Sequence, residues 1–249
     1  MILYKLSFWG ALYTFFNILQ NAQSLSSNTA KPTTYNYFAF GSNMALATME
    51  SLRNITPLAS TAAVLPGHRL AFNVPGMPFI EPSWASIEPI DSEGISNSNK
   101  NHLVHGVLYK LTEKDFVTVC QSEGVPLSYT LHRCQPIPYI GDNEKAGWDT
   151  YQKTLTESNN NNKQKDASKQ NVLGSVPAYT LRAGRTEWRK GKDIPPSSSY
   201  MRVLVRGARE FSIDDDYICM LEKIPTGQTL IGGGVAGAML GMAEASRKR

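Results

Sequence analysis

Tyr37-Phe38-Ala39-Phe40-Gly41-Ser42-Asn43-Met44 is an aromatic run that stops abruptly at Gly-Ser-Asn and passes into a helix-compatible segment. Tyr37 to Phe40 reads as a buried strand, and Gly41 can take a positive φ or admit a ligand to the backbone. Ser42 or Asn43 can then cap the helix that follows. Such a turn aims backbone N–H groups outward, where a helix N-terminus favours a carboxylate or a carbonyl oxygen. An ordinary strand–turn–helix link would carry the same residues.

Downstream of this stretch, Met44, Leu46, Met49 and Leu52 recur at the spacing of one helix face. Residues 61–65 and 69–74 read as strands joined through Pro66-Gly67. The prolines and Gly76 between Pro75 and Ser83 predict a loop able to overhang a pocket, and 84–90 is short and β-like. A polar Ser/Asn loop over 91–101 leads to 102–111, whose β-branched and aromatic content predicts a central strand. Thr112 with Asp115 forms a capping pair for a helix over 113–121 that ends near Gly124. Glu123 therefore falls in the last turn, where the partial negative charge of the helix end disfavours a carboxylate and, with shielding from water, would raise its pKa. Such a glutamate is a candidate general acid/base, although an exposed surface glutamate gives the same signal.

Residues 129–139 read as one strand. The polar stretch 151–170, with Ser158 followed by four asparagines, is poor in large apolar side chains and predicts a disordered insertion. The β pattern resumes over 176–182, 188–192 reads as a basic solvated loop, and Ser212 with Asp215 predicts a helix to about Glu222. The resulting organisation is a segment 1–34, one domain over 35–225 with its insertion, and a glycine-rich tail over 226–249. The apolar run from Leu6 to Leu19 follows Lys5 and precedes Ala22-Gln23-Ser24, which predicts a secretory or organellar targeting segment. An uncleaved anchor and a helix packed on the domain are the alternatives; without targeting, the compartment is the cytoplasm. Secretion would make Asn54-Ile55-Thr56 a glycosylation acceptor. In the tail, Gly233, Gly237 and Gly241 lie four apart ahead of Arg247-Lys248-Arg249, consistent with a flexible tail, peripheral membrane contact or self-association.

The chain has 249 residues, 41% hydrophobic and 18% charged, enough for one substantial core. Its net charge of +4 falls to +1 without the three terminal basic residues, which argues against nucleic acid as a partner. Cys120, Cys134 and Cys219 are scattered and odd in number, so neither a disulfide framework nor a zinc site is expected, and they read as reduced and mostly buried. The histidines form no ligand pattern: His102 and His105 would face opposite sides of a strand.

Taken together, the motifs resemble the γ-glutamylcyclotransferase family over about Tyr35 to Arg209. The stretch from Tyr37 to Met44 resembles the family's Y-F-A-Y-G-S-N-L loop, with Phe40 where the family usually has tyrosine. Gly106-Val107-Leu108-Tyr109-Lys110-Leu111 followed by Glu123-Gly124-Val125 resembles its strand, short helix and E-G-V segment. Pro195-Pro196-Ser197-Ser198-Ser199-Tyr200 resembles its P-P-S-x-x-Y element, and Tyr179 falls where another family tyrosine precedes that element. The resemblance implies an α+β fold, a small mixed β-barrel flanked by helices, and release of 5-oxoproline from γ-glutamyl compounds without metal or organic cofactor. It implies Glu123 as catalytic acid/base, and Tyr37, Phe38, Ala39, Phe40, Gly41, Ser42, Asn43, Tyr179 and Tyr200 as substrate-binding residues. The expected partner is then a small γ-glutamyl molecule. A non-catalytic binding or membrane-associated protein on the same fold is the alternative. The hydrophobic N-terminus, the Asn-rich stretch and the glycine tail are outside the resemblance.

Overall fold

Aromatic and β-branched runs become strands wherever a neighbouring strand can complete their backbone hydrogen bonds. The computed structural model describes residues 32–90, 103–161 and 174–229. Its strands are β1 (Thr34–Ala39), β2 (Ala59–Pro66), β3 (His68–Met77), β4 (Glu81–Pro89), β5 (Leu103–Thr112), β6 (Tyr129–Cys134), β7 (Ile137–Tyr139) and β8 (Ala178–Ala183). Its helices are α1 (Glu113–Ser122), α2 (Ala146–Asn161), α3 (Thr186–Lys190), α4 (Ser198–Glu210) and α5 (Asp215–Glu222). Six strands form one mixed sheet in the order β6-β8-β1-β5-β2-β7, and β3 and β4 form a separate antiparallel pair. In the large sheet Tyr37 lies opposite Tyr109 on antiparallel β5 and opposite Tyr179 on parallel β8.

The two edge strands are consecutive in the chain. Only Gln135 and Pro136 separate Cys134 of β6 from Ile137 of β7, a reach of at most about 11 Å. A flat sheet would hold these edges roughly 24 Å apart, at ~4.8 Å per strand. The sheet must therefore curl until its edges approach at that end. The result is an α+β fold around an open, barrel-like sheet, with no ladder between β6 and β7 among the described residues. The core follows the curl: Tyr37, Phe38, Met44, Met49, Ile55, Val107, Tyr109, Leu111, Leu204 and Ile213 are all buried in one cluster.

Several expectations change on contact with tertiary structure. Residues 129–139 are two strands on opposite edges, because Pro136 lacks the N–H that a continuous ladder needs. The stretch 75–83 is the end of the β3–β4 hairpin, turning at 78–80, instead of a loop. Of the expected disordered insertion, 151–161 is helical, continuing α2; 162–170 lies outside the described residues. Gly147 brings the first turn of that helix so close to the sheet that a Cβ there would lie 2.8 Å from both His105 and Tyr139. Tyr151 and buried Thr154 continue the same face. The 42–52 segment is a 3₁₀ turn (Ser42–Met44) and a π turn (Thr48–Leu52), in which Met44 and Met49 are buried and Leu52 is exposed.

The basic stretch at 188–192 begins within α3, and Trp188 is half-buried against the core beneath Arg185. The cap before α5 is Asp214, not Ser212. Asp214 itself reaches across to α2 and accepts from Gly147 N (2.8 Å) and Trp148 N (2.9 Å). Gly227 bridges to Ser197 and donates to Pro196 O at 2.8 Å, so the domain extends beyond residue 225. Of the three cysteines, all free, Cys134 is buried, Cys120 half-buried and Cys219 exposed. The N-terminal run and the glycine repeat lie outside the described residues; among those described, no helix is long and apolar enough to cross a membrane.

Candidate active site

Strand β5 pairs antiparallel with β1, so Thr112 at its end lies opposite Thr34 at the start of β1. The chain turns there into α1, capped by Thr112, whose Oγ1 accepts from Asp115 N at 3.2 Å. Ten residues of helix run back about 15 Å along β1 and β5, nearly the length of β1 itself. Glu123 at the helix C-cap and Gly124, at φ +67°, therefore reach the level of the Gly41-Ser42-Asn43 turn.

The two segments join directly. Asn43 Nδ2 donates to Glu123 Oε1 at 3.0 Å and to the Tyr37 hydroxyl at 2.9 Å. Arg53, which follows the π turn, completes the cluster: its Nε donates to Asn43 Oδ1 at 3.0 Å, one terminal nitrogen pairs with Glu123 Oε1, and the other donates to Ser122 Oγ. The paired side chains of Arg53 and Glu123 are 14% and 15% exposed, enough for contact with a cleft of about 700 Å³ that both line. Ser42, Ser128, Tyr129 and Tyr200 supply polar atoms to its wall, and Leu52, Val74, Pro75 and Trp84 supply apolar ones.

Tyr200 reaches the turn from α4. Ser197 caps that helix by accepting from Tyr200 N at 3.0 Å, while buried Glu81 accepts from Ser197 N (3.0 Å) and Oγ (2.7 Å). Burial pushes the Glu81 carboxyl up, and its two hydrogen bonds to Ser197 work against that. The Tyr200 hydroxyl accepts from Ala85 N at 3.2 Å and from the Ser42 backbone. It sits so close to the turn that a Cβ on Gly41 would lie 3.1 Å from it, and this packing explains the glycine. Tyr129 donates to Ala85 O at 2.8 Å. Burial, with the Glu123 charge adding to it, raises the phenols of Tyr37, Tyr129 and Tyr200. Burial likewise pushes the Cys120 thiol up to about 11. These groups all keep their protons near neutrality, beside a carboxylate paired with Arg53.

The sequence-predicted residues separate into three groups. Glu123, Ser42 and Tyr200 line the cleft, with Asn43, Tyr37 and Gly41 immediately behind. Phe38, Ala39 and Phe40 are buried in the core and do not line it. Phe40 itself contributes no atom to the lining. Tyr179 is not at the cleft either: it packs beside Tyr35 and Phe116, with the Arg133 guanidinium 6.0 Å from its ring. Its neighbour Thr180 takes the inward position and donates to Phe38 O at 2.7 Å. Arg53 was missed, since nothing local marks a basic residue ten positions beyond Asn43. Trp84 and Tyr129 were missed because strands bring them from distant sequence. Among the described residues, no group of three His, Cys, Asp or Glu side chains is placed to hold a metal ion.

No family model matches the chain. A γ-glutamyl cyclotransferase of Aspergillus oryzae, aclK, is 28% identical over 191 residues, covering 74% of this chain and 59% of that protein. The chain thus spans less than two thirds of that relative. Another, verK of Clonostachys rogersoniana, is 31% identical over 134 residues, covering 45% of this chain and 73% of that protein. The chain belongs to the γ-glutamyl cyclotransferase family. A solved structure of a γ-glutamyl cyclotransferase superposes with a TM-score of 0.55 at 15% identity, over 86% of this chain and 99% of that one, which shows a shared fold. In this γ-glutamyl cyclotransferase family member, the aromatic strand and its Gly-Ser-Asn turn are the wall against which Glu123 is fixed.

Proposed function

We propose that this protein releases 5-oxoproline from small γ-glutamyl compounds, with Glu123 as general acid and base. The observation that carries this reading is the hydrogen bond from Asn43 to Glu123, which sets a carboxylate at a cleft beside the Gly41-Ser42 turn. In the proposed reaction the substrate's α-amino group gives a proton to Glu123 and its nitrogen attacks the γ-carbonyl carbon. The new C–N bond closes a five-membered ring. The old amide C–N bond then breaks, and the leaving amine takes the proton back from the same carboxyl group, so no water or redox partner is consumed. Because the attack is intramolecular, holding the glutamyl arm in an attack geometry supplies much of the acceleration. The Gly41-Ser42 turn is the proposed seat for the substrate's oxygens, and the buried tyrosines keep competing proton acceptors away from Glu123.

The test is release of 5-oxoproline from γ-glutamyl amino acids, peptides including glutathione, and amines. The parent protein is expected to turn over at least one of them, and Glu123→Gln to lower its kcat by about 10² to 10⁴-fold. Equal release by parent and variant would sink the role of Glu123. No release from any compound would favour a non-catalytic binding protein on this fold.

A further inference from the structure

We infer that Arg53 is a positioning residue that, through Asn43, locks one oxygen of the Glu123 carboxylate and leaves the other facing the cleft for proton transfer. The inference rests on the proposed role of Glu123 and extends it to a residue that the aromatic turn motif does not contain.

The hydrogen-bond inventory carries the argument. The Asn43 amide has two N–H donors, and both are committed, to the Tyr37 hydroxyl and to Glu123 Oε1. Its carbonyl oxygen accepts from Arg53 Nε, which fixes which way the amide faces. The same guanidinium reaches Oε1 of Glu123 and the hydroxyl of Ser122, which donates on to Val119 O within α1 at 2.9 Å. Every restraint on the carboxylate therefore falls on Oε1, while the residue lines the cleft. An unrestrained carboxylate would rotate between equivalent oxygens. A guanidinium anchored at three points removes that freedom and holds Oε2 toward the substrate's nitrogen.

Charge points the same way. The titratable groups facing Glu123 are Tyr37 from β1, Cys120 from α1, Tyr129 from β6 and Tyr200 from α4, all with their pKa raised. Between pH 5 and 9 they are neutral, so Arg53 supplies the cationic partner in this cluster. The π turn at Thr48–Leu52 gives the placement: its wider winding shifts the following residue around the axis and back toward Asn43.

The test compares parent, Arg53→Gln, Arg53→Lys and Glu123→Gln, each checked for folding by thermal melting. For the best γ-glutamyl compound, Arg53→Gln is expected to lower kcat by about 10²-fold, with KM within about threefold. Arg53→Lys is expected to recover part of the lost kcat. A crystal structure of free Arg53→Gln should show the Glu123 carboxylate in more than one orientation, where the parent holds its Oε1 against Asn43. This second arm decides the inference even if no compound is turned over. Unchanged kcat and an unchanged carboxylate orientation in Arg53→Gln, with Glu123→Gln inactive, would overturn the role of Arg53 while sparing that of Glu123. A rise in KM alone would also overturn it, making Arg53 a substrate-binding group instead.

Discussion

His105, which lines a cavity separate from the cleft, is a buried imidazole. It is buried on β5, stacked on Tyr217 at 4.6 Å, with Nδ1 3.0 Å from the Tyr139 hydroxyl, and burial lowers its pKa to about 3. The unfolded chain takes up this proton near pH 6.5, whereas the native state takes it up near 3, so stability falls as pH drops through that window. Between pH 7 and pH 5 the loss from this residue is about 2 kcal/mol, at 1.36 kcal/mol per pH unit below 6.5. Glu81 and Asp214, both raised by burial, act in the opposite sense and are shared by parent and variant. His105→Gln should thus show a smaller difference in urea-derived stability between pH 7 and pH 5 than the parent does, by about that amount. Equal differences would place the proton elsewhere. At this scale the sequence was informative where one residue type has one chemical use. Glu123 at a helix end and Asn43 at a turn both lie where their local signals pointed. Tyr179 and Phe40, named through the resemblance, do not line the cleft; the face that a strand residue presents depends on registers set by other strands, here the pairing of Tyr37 with Tyr179.

Among the elements, α2 shows how a polar composition conceals order. Its Ser/Asn-rich end reads as a chain without enough apolar area to fold, yet the helix starts from two carboxylates. Asp142 Oδ1 accepts from Glu144 N (2.9 Å) and Ala146 N (3.2 Å), and Asp214 serves the next two amides. Asp214 lies 67 residues from Gly147, so no window over 140–160 reveals this cap. Asp214→Ala should cost about 0.5–2 kcal/mol and accelerate hydrogen exchange most at Gly147 and Trp148. Undisturbed exchange there would show that the helix start has another support. By contrast, α1 was legible in full, since Thr112, Asp115 and Gly124 carry its start and stop within twelve residues. Both strands of the β3–β4 pair were legible over 69–74 and 84–90, but their joined ends at 75–83 read as a loop because prolines are stop signals. In a two-stranded pair, Pro75 occupies a position opposite Ser83 without interrupting the hairpin.

For the molecule as a whole, the described domain begins at the first strand and runs through the Gly227 bridge. A protein trimmed to 34–229 should retain the parent's melting behaviour and its turnover of γ-glutamyl compounds, measured side by side. A cut at 225 should be less stable, because it removes the strand-like contact of Gly227 with Ser197, the residue that caps α4 below Tyr200. Loss of turnover at 34–229 would make the two ends working parts and revive the membrane-associated alternative. The order of most strands and helices was readable from local stop signals, and the fold class from the resemblance of the motifs to a known family. The curl of the open sheet was not, since it depends on which partners the short β6–Gln135–Pro136–β7 segment finds.

That segment also sets the tempo of assembly. Val64 must meet Ile137, and Cys134 must meet Ala178, so two strands that are neighbours in the chain draw their partners from sites more than a hundred positions apart. Neither pairing is local, and each encloses a long loop whose ends must find one another before any contact repays the lost entropy. In refolding, amides of β1, β5 and α1 should gain exchange protection first. Those of β6 and β7 should gain it last and together, as the step that adds the two edge strands and fixes the Tyr129 wall of the cleft.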